Sequence, residues 1–249
     1  MVSHATGPAP ASVSSGQPAP PRVAFFGGSF DPPHLGPLAI ACAARDALKL
    51  DRVLFAPVGA QPLKPHGSSA PFADRATMTH LAIAGEPAFE LSLVDAPTES
   101  APVAPNYTLE ALERLRDQLP AGASLFCLIG ADSYLTLRRW HRAAEIPFTA
   151  GLIVASRPGQ SLHDLAAALP PGLTLTPNPA ADASSPVELR AFTVSNAAGV
   201  SAPFYLLPGL QYEMSASQIR RALHSGSSTA AELIPSAVAQ YISEHGLYR

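Results

Sequence analysis

Between Val23 and Pro37 the chain reads VAFFGGSFDPPHLGP. An apolar run ends in paired glycines, Gly27 and Gly28. Ser29, Phe30 and Asp31 lead through two prolines to His34, and Gly36 and Pro37 open a helix-like segment. Flexible backbone, an imidazole and a helix N-terminus therefore meet at one point. Free backbone N–H groups and the positive end of a helix dipole suit a phosphate there. Glycine lets a ligand approach the backbone closely because no Cβ intervenes. The plainer reading is a generic turn, since Gly, Asp and Pro are common turn residues. The full spaced string between a strand and a helix favours the anion site. The string lacks the G-K-[ST] of a P-loop, and it is not the G-x-G-x-x-G dinucleotide fingerprint.

Other residues of chemical interest lie at the ends of apolar runs. Lys64 sits in Gln61-Pro62-Leu63-Lys64-Pro65-His66 and is one of only two lysines; a solvated loop lysine is the competing reading. Arg75 follows in Arg75-Ala76-Thr77-Met78. Asn106-Tyr107-Thr108 precedes a helix, where Asn106 is a candidate N-cap. Ile129-Gly130-Ala131-Asp132 closes a buried run. Gly130 permits close approach, and Asp132 can accept hydrogen bonds from ribose hydroxyls; an N-cap role for Asp132 is the alternative. Trp140 is the only tryptophan and lies among Arg138, Arg139, His141 and Arg142, which points to an exposed segment. Ser156-Arg157-Pro158-Gly159 is either a plain turn or part of a pocket. In Met214-Ser215-Ala216-Ser217-Gln218-Ile219-Arg220, two hydroxyls and free N–H groups gather at a helix start. Arg220, one turn in, can reach the same anion with a bidentate fork.

These strings resemble the bacterial nicotinate-nucleotide adenylyltransferases, within the nucleotidyltransferases marked by G-G-x-F-D-P-x-H-x-G-H. The resemblance covers about Arg22 to Arg249. It implies adenylyl transfer from ATP to nicotinate mononucleotide, giving nicotinate adenine dinucleotide and pyrophosphate, with Mg²⁺ arriving on ATP. By motif match, His34, Lys64 and Arg220 are implied in catalysis. Gly27, Gly28, Ser29, Phe30, His34, Gly36, Gly130, Asp132, Arg157, Ser215, Ser217 and Arg220 are implied at ATP. Tyr107, Thr108 and Trp140 are implied at the nicotinate half. Pro37 stands where the family has its second histidine. The fold tolerates proline in a first helical turn, but a donor to the triphosphate is lost. One such donor is worth roughly 3 kcal/mol, or ~10²-fold in rate, so a slowed enzyme is expected. Two alternatives stand beside this: a nucleotide-binding protein that has lost turnover, and a sister adenylyltransferase with another phosphate acceptor.

The elements that must hold these residues alternate between strands and helices. Strands are expected at Val23–Phe26, Arg52–Pro57, Phe89–Asp95, Leu125–Ile129, Gly151–Ala155 and Phe204–Leu207. Helices are expected at Leu38–Leu50, Phe72–Ala84, Tyr107–Gln118, Ser161–Leu169, Ser215–Leu223 and Pro235–His245, with two short helices around Trp140. Wholly apolar strands followed by helices predict an α/β, Rossmann-like doubly wound parallel sheet, with ligands at the strand C-terminal ends. A small helical part is expected from about residue 215. Residues 1–21 are Pro, Ala, Ser and Gly with little large apolar surface, and read as a disordered tail. Residues 170–203 read in part as a strand, Glu188–Val194, and in part as a mobile surface insertion.

Composition narrows the function classes. Hydrophobic residues make up 47%, enough for a core, while the formal net charge of −3 gives no basic excess for a nucleic-acid backbone. No apolar run approaches the ~18 residues of a membrane span. Cys42 and Cys127 have no zinc-type spacing and read as small buried thiols, as in a reducing cytoplasm. No dedicated metal site is expected, and a homo-oligomer is left open.

Overall fold

The computed structural model describes residues 19–63, 67–97, 104–156, 162–179, 189–208, 215–227 and 232–249. The strands are β1 (Arg22–Gly28), β2 (Arg52–Pro57), β3 (Phe89–Leu91), β4 (Ser124–Gly130), β5 (Gly151–Ala155), β6 (Leu173–Pro177), β7 (Arg190–Asn196) and β8 (Ser201–Leu207). The helices are α1 (Leu35–Leu48), α2 (Phe72–Ile83), α3 (Thr108–Gln118), α4 (Ala131–Tyr134), α5 (Ile146–Thr149), α6 (Leu162–Ala168), α7 (Ala216–His224) and α8 (Ser236–His245), with a 3₁₀ turn at Leu137–Arg139.

One eight-stranded sheet runs β3-β2-β1-β4-β5-β8-β7-β6. Its first six strands in that order pair in parallel. From β1 the chain builds outward through β2 to β3 on one side, then crosses back to lay β4 and β5 on the other, so the strand order reverses between β1 and β4. That reversal is the point where open α/β sheets form a ligand crevice beyond their strand C-termini.

Alternating side chains on β1 explain why both faces need cover. Val23 and Phe25 join a core with α3, the residues around α4 and α5, and α6, through Leu109, Leu112, Tyr134, Ile146 and Leu165. Ala24 and Phe26 join the opposite core with α1, through Ala41, Ala44 and Ala47. The small alanines of α1 let it sit close to the sheet. A third cluster binds Met78 of α2 to Ile219 of α7 and to Val238 and Ile242 of α8. The helical C-terminal part thus docks on α2, each buried aliphatic side chain contributing about 1.5–3 kcal/mol.

Four expectations need correction. The strand expected at Glu188–Val194 is β7, but part of the stretch expected as insertion is a further strand, β6; β7 pairs antiparallel with β6 on one side and with β8 on the other. The sheet is therefore mixed, with an antiparallel edge; residues 180–188 lie outside the described residues. Thr–Leu alternation on β6 was obscured in the sequence by flanking prolines. The strand read at Phe89–Asp95 ends at Leu91, because Ser92 to Pro97 turn toward Gly59, whose N–H donates to Asp95 O at 2.8 Å. The tail read to residue 21 joins the fold by its end: Pro21 O accepts from Ser124 N at 2.9 Å. Residues 1–18 lie outside the described residues. Cys127 is buried, whereas Cys42 is half-buried.

Candidate active site

Above the C-terminal ends of β1 and β4 lie two adjoining cavities. One, about 280 Å³, is walled by the Gly27–Asp31 loop, His34, Gly36 and Pro37, by Gly130–Ser133, and by Ser215 and Ala216. The other, about 310 Å³, is walled by Gln61, Asp95, Tyr107, Thr108, Trp140 and His141. Gly27, Gly28, Ser29, Gly130 and Ser133 line both. The two lobes therefore meet over the strand ends.

The smaller lobe is built from the loop upward. His34 is the N-cap of α1, and its Nδ1 accepts from Gly36 N at 3.3 Å. An accepting Nδ1 leaves the ring proton on Nε2. Burial lowers the His34 pKa to about 4, so the imidazole is neutral at physiological pH and its Nε2–H is a donor. Pro37 is the third residue of α1. Its missing N–H would have had no partner inside the helix, so the helix forms unimpaired.

Gly27 at the end of β1 and Gly130 at the end of β4 are small for different reasons. A Cβ on Gly27 would stand 2.8 Å from the Phe25 ring, so packing alone requires glycine there. A Cβ on Gly130 would meet no protein atom within 4 Å. Its small size keeps the lobe open rather than satisfying a neighbour. Phe30 lines the smaller lobe, but its ring is committed to the core against Phe26 and Phe55 at 5.9 and 5.6 Å. Its backbone, at φ 45°, bends the loop. Ser29 Oγ accepts from Gln61 Nε2 at 3.0 Å, tying the β1 loop to the β2 loop.

Arg75 is not at a ligand surface. It is 2% exposed and donates to the carbonyls of Ala70, Ser29 and Val58 at 3.2, 2.7 and 2.8 Å. It fastens the underside of the loop. Asp132, expected as a cap or a ligand, is not the cap: α4 starts at Ala131 with Gly130 as its N-cap. The carboxylate is exposed in the smaller lobe.

At α7 the hydroxyl of Ser215 is used by its own helix. Its Oγ accepts from Gln218 N at 3.3 Å, while Gln218 Oε1 takes Ser215 N at 2.7 Å, a capping box. Ser215 lines the smaller lobe with these cap bonds made, and the amides of Ala216 and Ser217, outside the helix ladder, are further donors α7 can offer. Ser217 Oγ accepts from Arg220 Nη2 at 3.1 Å, and Arg220 Nη1 donates to Asp31 O at 2.6 Å. Arg220 thus bridges α7 to the β1 loop. Neither Ser217 nor Arg220 lines the cavity wall. Lys64, His66 and Arg157 lie outside the described residues.

The larger lobe gathers Tyr107, Thr108 and Trp140 as expected. Trp140 is half-buried, its Nε1–H donating to Thr136 Oγ1 at 3.2 Å, which fixes the indole plane. His141 stacks on Tyr107 at 4.3 Å; nothing in its spacing marked it as part of the site. Asn106 is not the cap of α3, a position taken by Tyr107. Its side chain accepts from Ala60 N at 2.8 Å and donates to Ala96 O at 3.0 Å, clamping two loops behind the lobe. Beside it, Asp95 Oδ1 is buried with no hydrogen-bond partner among the described residues. Burial pushes the Asp95 carboxyl up to about 6, against the pull of Arg114. Among the described residues no cluster of His, Cys, Asp and Glu is arranged to hold a metal ion, and no helix is long and apolar enough to cross a membrane.

Comparison with known proteins agrees with this geometry. Residues 25–222 match the family model described as cytidylyltransferase-like. A protein of Pelobacter propionicus named "Probable nicotinate-nucleotide adenylyltransferase" is 36% identical over 229 residues, covering 91% of this chain and 98% of its own. One of the same name from Geobacter metallireducens is 35% identical over 227 residues, with 91% and 98% covered. Among solved structures, the nicotinic acid mononucleotide adenylyltransferase of Plasmodium falciparum complexed with NaAD superposes with a TM-score of 0.64 at 15% identity, over 92% of this chain and 97% of that one. The same enzyme complexed with APC gives a TM-score of 0.64 at 14% identity, with 92% and 97% covered. At that identity the likeness concerns the fold. With the family model spanning most of the chain and relatives above a third identical over nearly their whole length, this chain belongs to the cytidylyltransferase-like family and, within it, to the nicotinate-nucleotide adenylyltransferases.

Proposed function

We propose that this chain transfers the adenylyl group of ATP to nicotinate mononucleotide, releasing pyrophosphate and forming nicotinate adenine dinucleotide. The carrying observation is the pair of lobes sharing Gly27–Ser29 and Gly130. One lobe is lined with phosphate-type donors and the other with aromatic rings, and their junction lies where two substrates must meet. The substrate phosphate oxygen attacks the α-phosphorus of ATP in line. The new P–O bond forms as the bond to the bridging α–β oxygen breaks, and pyrophosphate carries the electron pair away. No protein nucleophile is required; the protein positions both partners and offsets developing charge.

His34 Nε2–H, the N-terminal amides of α1 and the amides of Ala216 and Ser217 are the donors for the triphosphate. Arg220 and Lys64 add positive charge, and Arg157 belongs to the same proposed set. Asp132 takes a ribose hydroxyl. In the larger lobe the pyridine ring stacks on Trp140, with Tyr107 and Thr108 at its carboxylate end. Mg²⁺ enters as part of the ATP substrate. A reducing, cytoplasmic setting suits the two free thiols, and a homo-oligomer is compatible with the fold.

Incubation with MgATP and nicotinate mononucleotide, with products separated by mass, tests this reading. A dinucleotide of the expected mass supports it. Saturable ATP binding without any dinucleotide favours the second reading, a nucleotide-binding protein whose turnover was lost at Pro37.

A further inference from the structure

The loop that carries His34 is anchored from below by a carboxylate that the transfer reaction itself does not need. Asp31 is 2% exposed. Its Oδ2 accepts from Ser69 N at 2.6 Å, and its Oδ1 accepts from Ala70 N at 3.1 Å. The backbone carbonyl of Asp31 takes Arg220 Nη1 at 2.6 Å, and the same nitrogen lies 3.6 Å from Oδ2. The remaining donor comes from the far end of the chain: Tyr248 Oη–H donates to Asp31 Oδ1 at 2.7 Å.

The fold brings this phenol there by construction. Ile242 and Val238 fix α8 on Met78 of α2, and Tyr241 Oη–H donates to Asp74 Oδ1 at 2.8 Å. Gly246, at φ 63°, ends α8 in the left-handed conformation, where glycine carries no steric cost. Leu247 N then returns to Ile242 O at 3.1 Å. Tyr248 itself is left-handed at φ 63°, a conformation that costs a tyrosine energy and so needs a compensating contact. Its hydroxyl finds that contact at Asp31. Burial and the neighbouring carboxylate raise the phenol's pKa, so it remains a neutral donor.

We propose that Tyr248 is a positioning residue for the reaction at the phosphate lobe: its hydroxyl completes the hydrogen-bond shell of Asp31 and thereby fixes the loop that presents His34 and meets Arg220. Among the described residues the Asp31 carboxylate accepts hydrogen bonds from two backbone amides and one phenol, with the Arg220 guanidinium further off at 3.6 Å. Removing one loosens the whole anchor. The effect is expected on the ATP side, because Asp31 lines the smaller lobe and not the larger.

The inference rests on the adenylyl-transfer reading, and its test separates the two. Tyr248→Phe keeps the ring and removes one oxygen, so the fold survives. Steady-state kinetics with MgATP and nicotinate mononucleotide should show kcat/KM for ATP lowered roughly tenfold, with KM for the mononucleotide within about twofold of the parent. In an Asp31→Ala background, which removes the acceptor, the same substitution should have little further effect, because its route is gone. An unchanged ATP kcat/KM, an equal effect on both substrates, or full additivity with Asp31→Ala would overturn the proposal. Should the parent protein turn over no acceptor, calorimetric titration with ATP replaces kinetics. Several-fold weaker binding by Tyr248→Phe then supports the anchor, and equal binding refutes it. If Asp31→Ala fails to fold, the split between the two substrates decides.

Discussion

His34 is held as a neutral donor, and this has a thermodynamic signature. Its pKa falls from the ordinary 6.5 to about 4 through burial. The folded chain therefore binds the second imidazole proton less readily than the unfolded chain. The resulting stability is fully present above pH 6.5 and is lost as pH falls toward 4, up to about 3 kcal/mol. Urea unfolding at pH 7.5 and 4.5 should show the parent losing more stability than His34→Gln by about that amount; equal losses would mean the ring is not buried as described. Three residues on, Pro37 occupies a helical position that proline tolerates, so its cost falls on chemistry. Pro37→His should leave the melting temperature nearly unchanged and raise turnover by roughly 10²-fold, the worth of one preorganised donor. A stable variant with unchanged turnover would refute this account of Pro37.

At the scale of elements, the site depends on loops that lie across strand ends and are fastened by few side chains. Asn106 joins the loop after β2 to the chain after β3 by bonds to Ala60 N and Ala96 O. Asn106→Ala leaves both backbone groups without this partner in a partly buried setting, at a cost of about 1–3 kcal/mol, measurable by urea unfolding. A loss below about 0.5 kcal/mol, the range of ordinary surface substitutions, would show that the clamp carries nothing.

These fastenings were the hardest part to read from the sequence. The strands β1, β2, β4 and β5 were legible because each is an apolar run covered on both faces. The helices were legible to within a few residues, and so was the gathering of Gly27, Gly28, His34, Gly130 and Asp132 on one side and Tyr107, Thr108 and Trp140 on the other. Asn106 looks like a helix cap in one dimension, and no local pattern marks Arg75 or Asp31 as an anchor. Only the folded chain shows their polar atoms spent on distant carbonyls and amides. The pairing of Asp31 with Tyr248 spans 217 positions, beyond the reach of any local pattern. The edge strand β6 was obscured by prolines and by its exposed face, whereas its neighbour β7 was anticipated at Glu188–Val194.

For the molecule as a whole, a doubly wound sheet with an antiparallel edge supports two adjoining lobes, and its C-terminal helices close the anchor of one of them. The fold itself is shared by enzymes with different acceptors, so the acceptor must be argued from the lobe that holds it. Aromatic walls at Tyr107, Trp140 and His141 favour a flat, electron-poor ring over a flexible chain. The most direct test is pyrophosphate release with MgATP, comparing nicotinate mononucleotide, nicotinamide mononucleotide and phosphopantetheine as acceptors. The account predicts release with the highest kcat/KM for nicotinate mononucleotide and none above background for phosphopantetheine. Release that favours phosphopantetheine, or none with any acceptor, would contradict it.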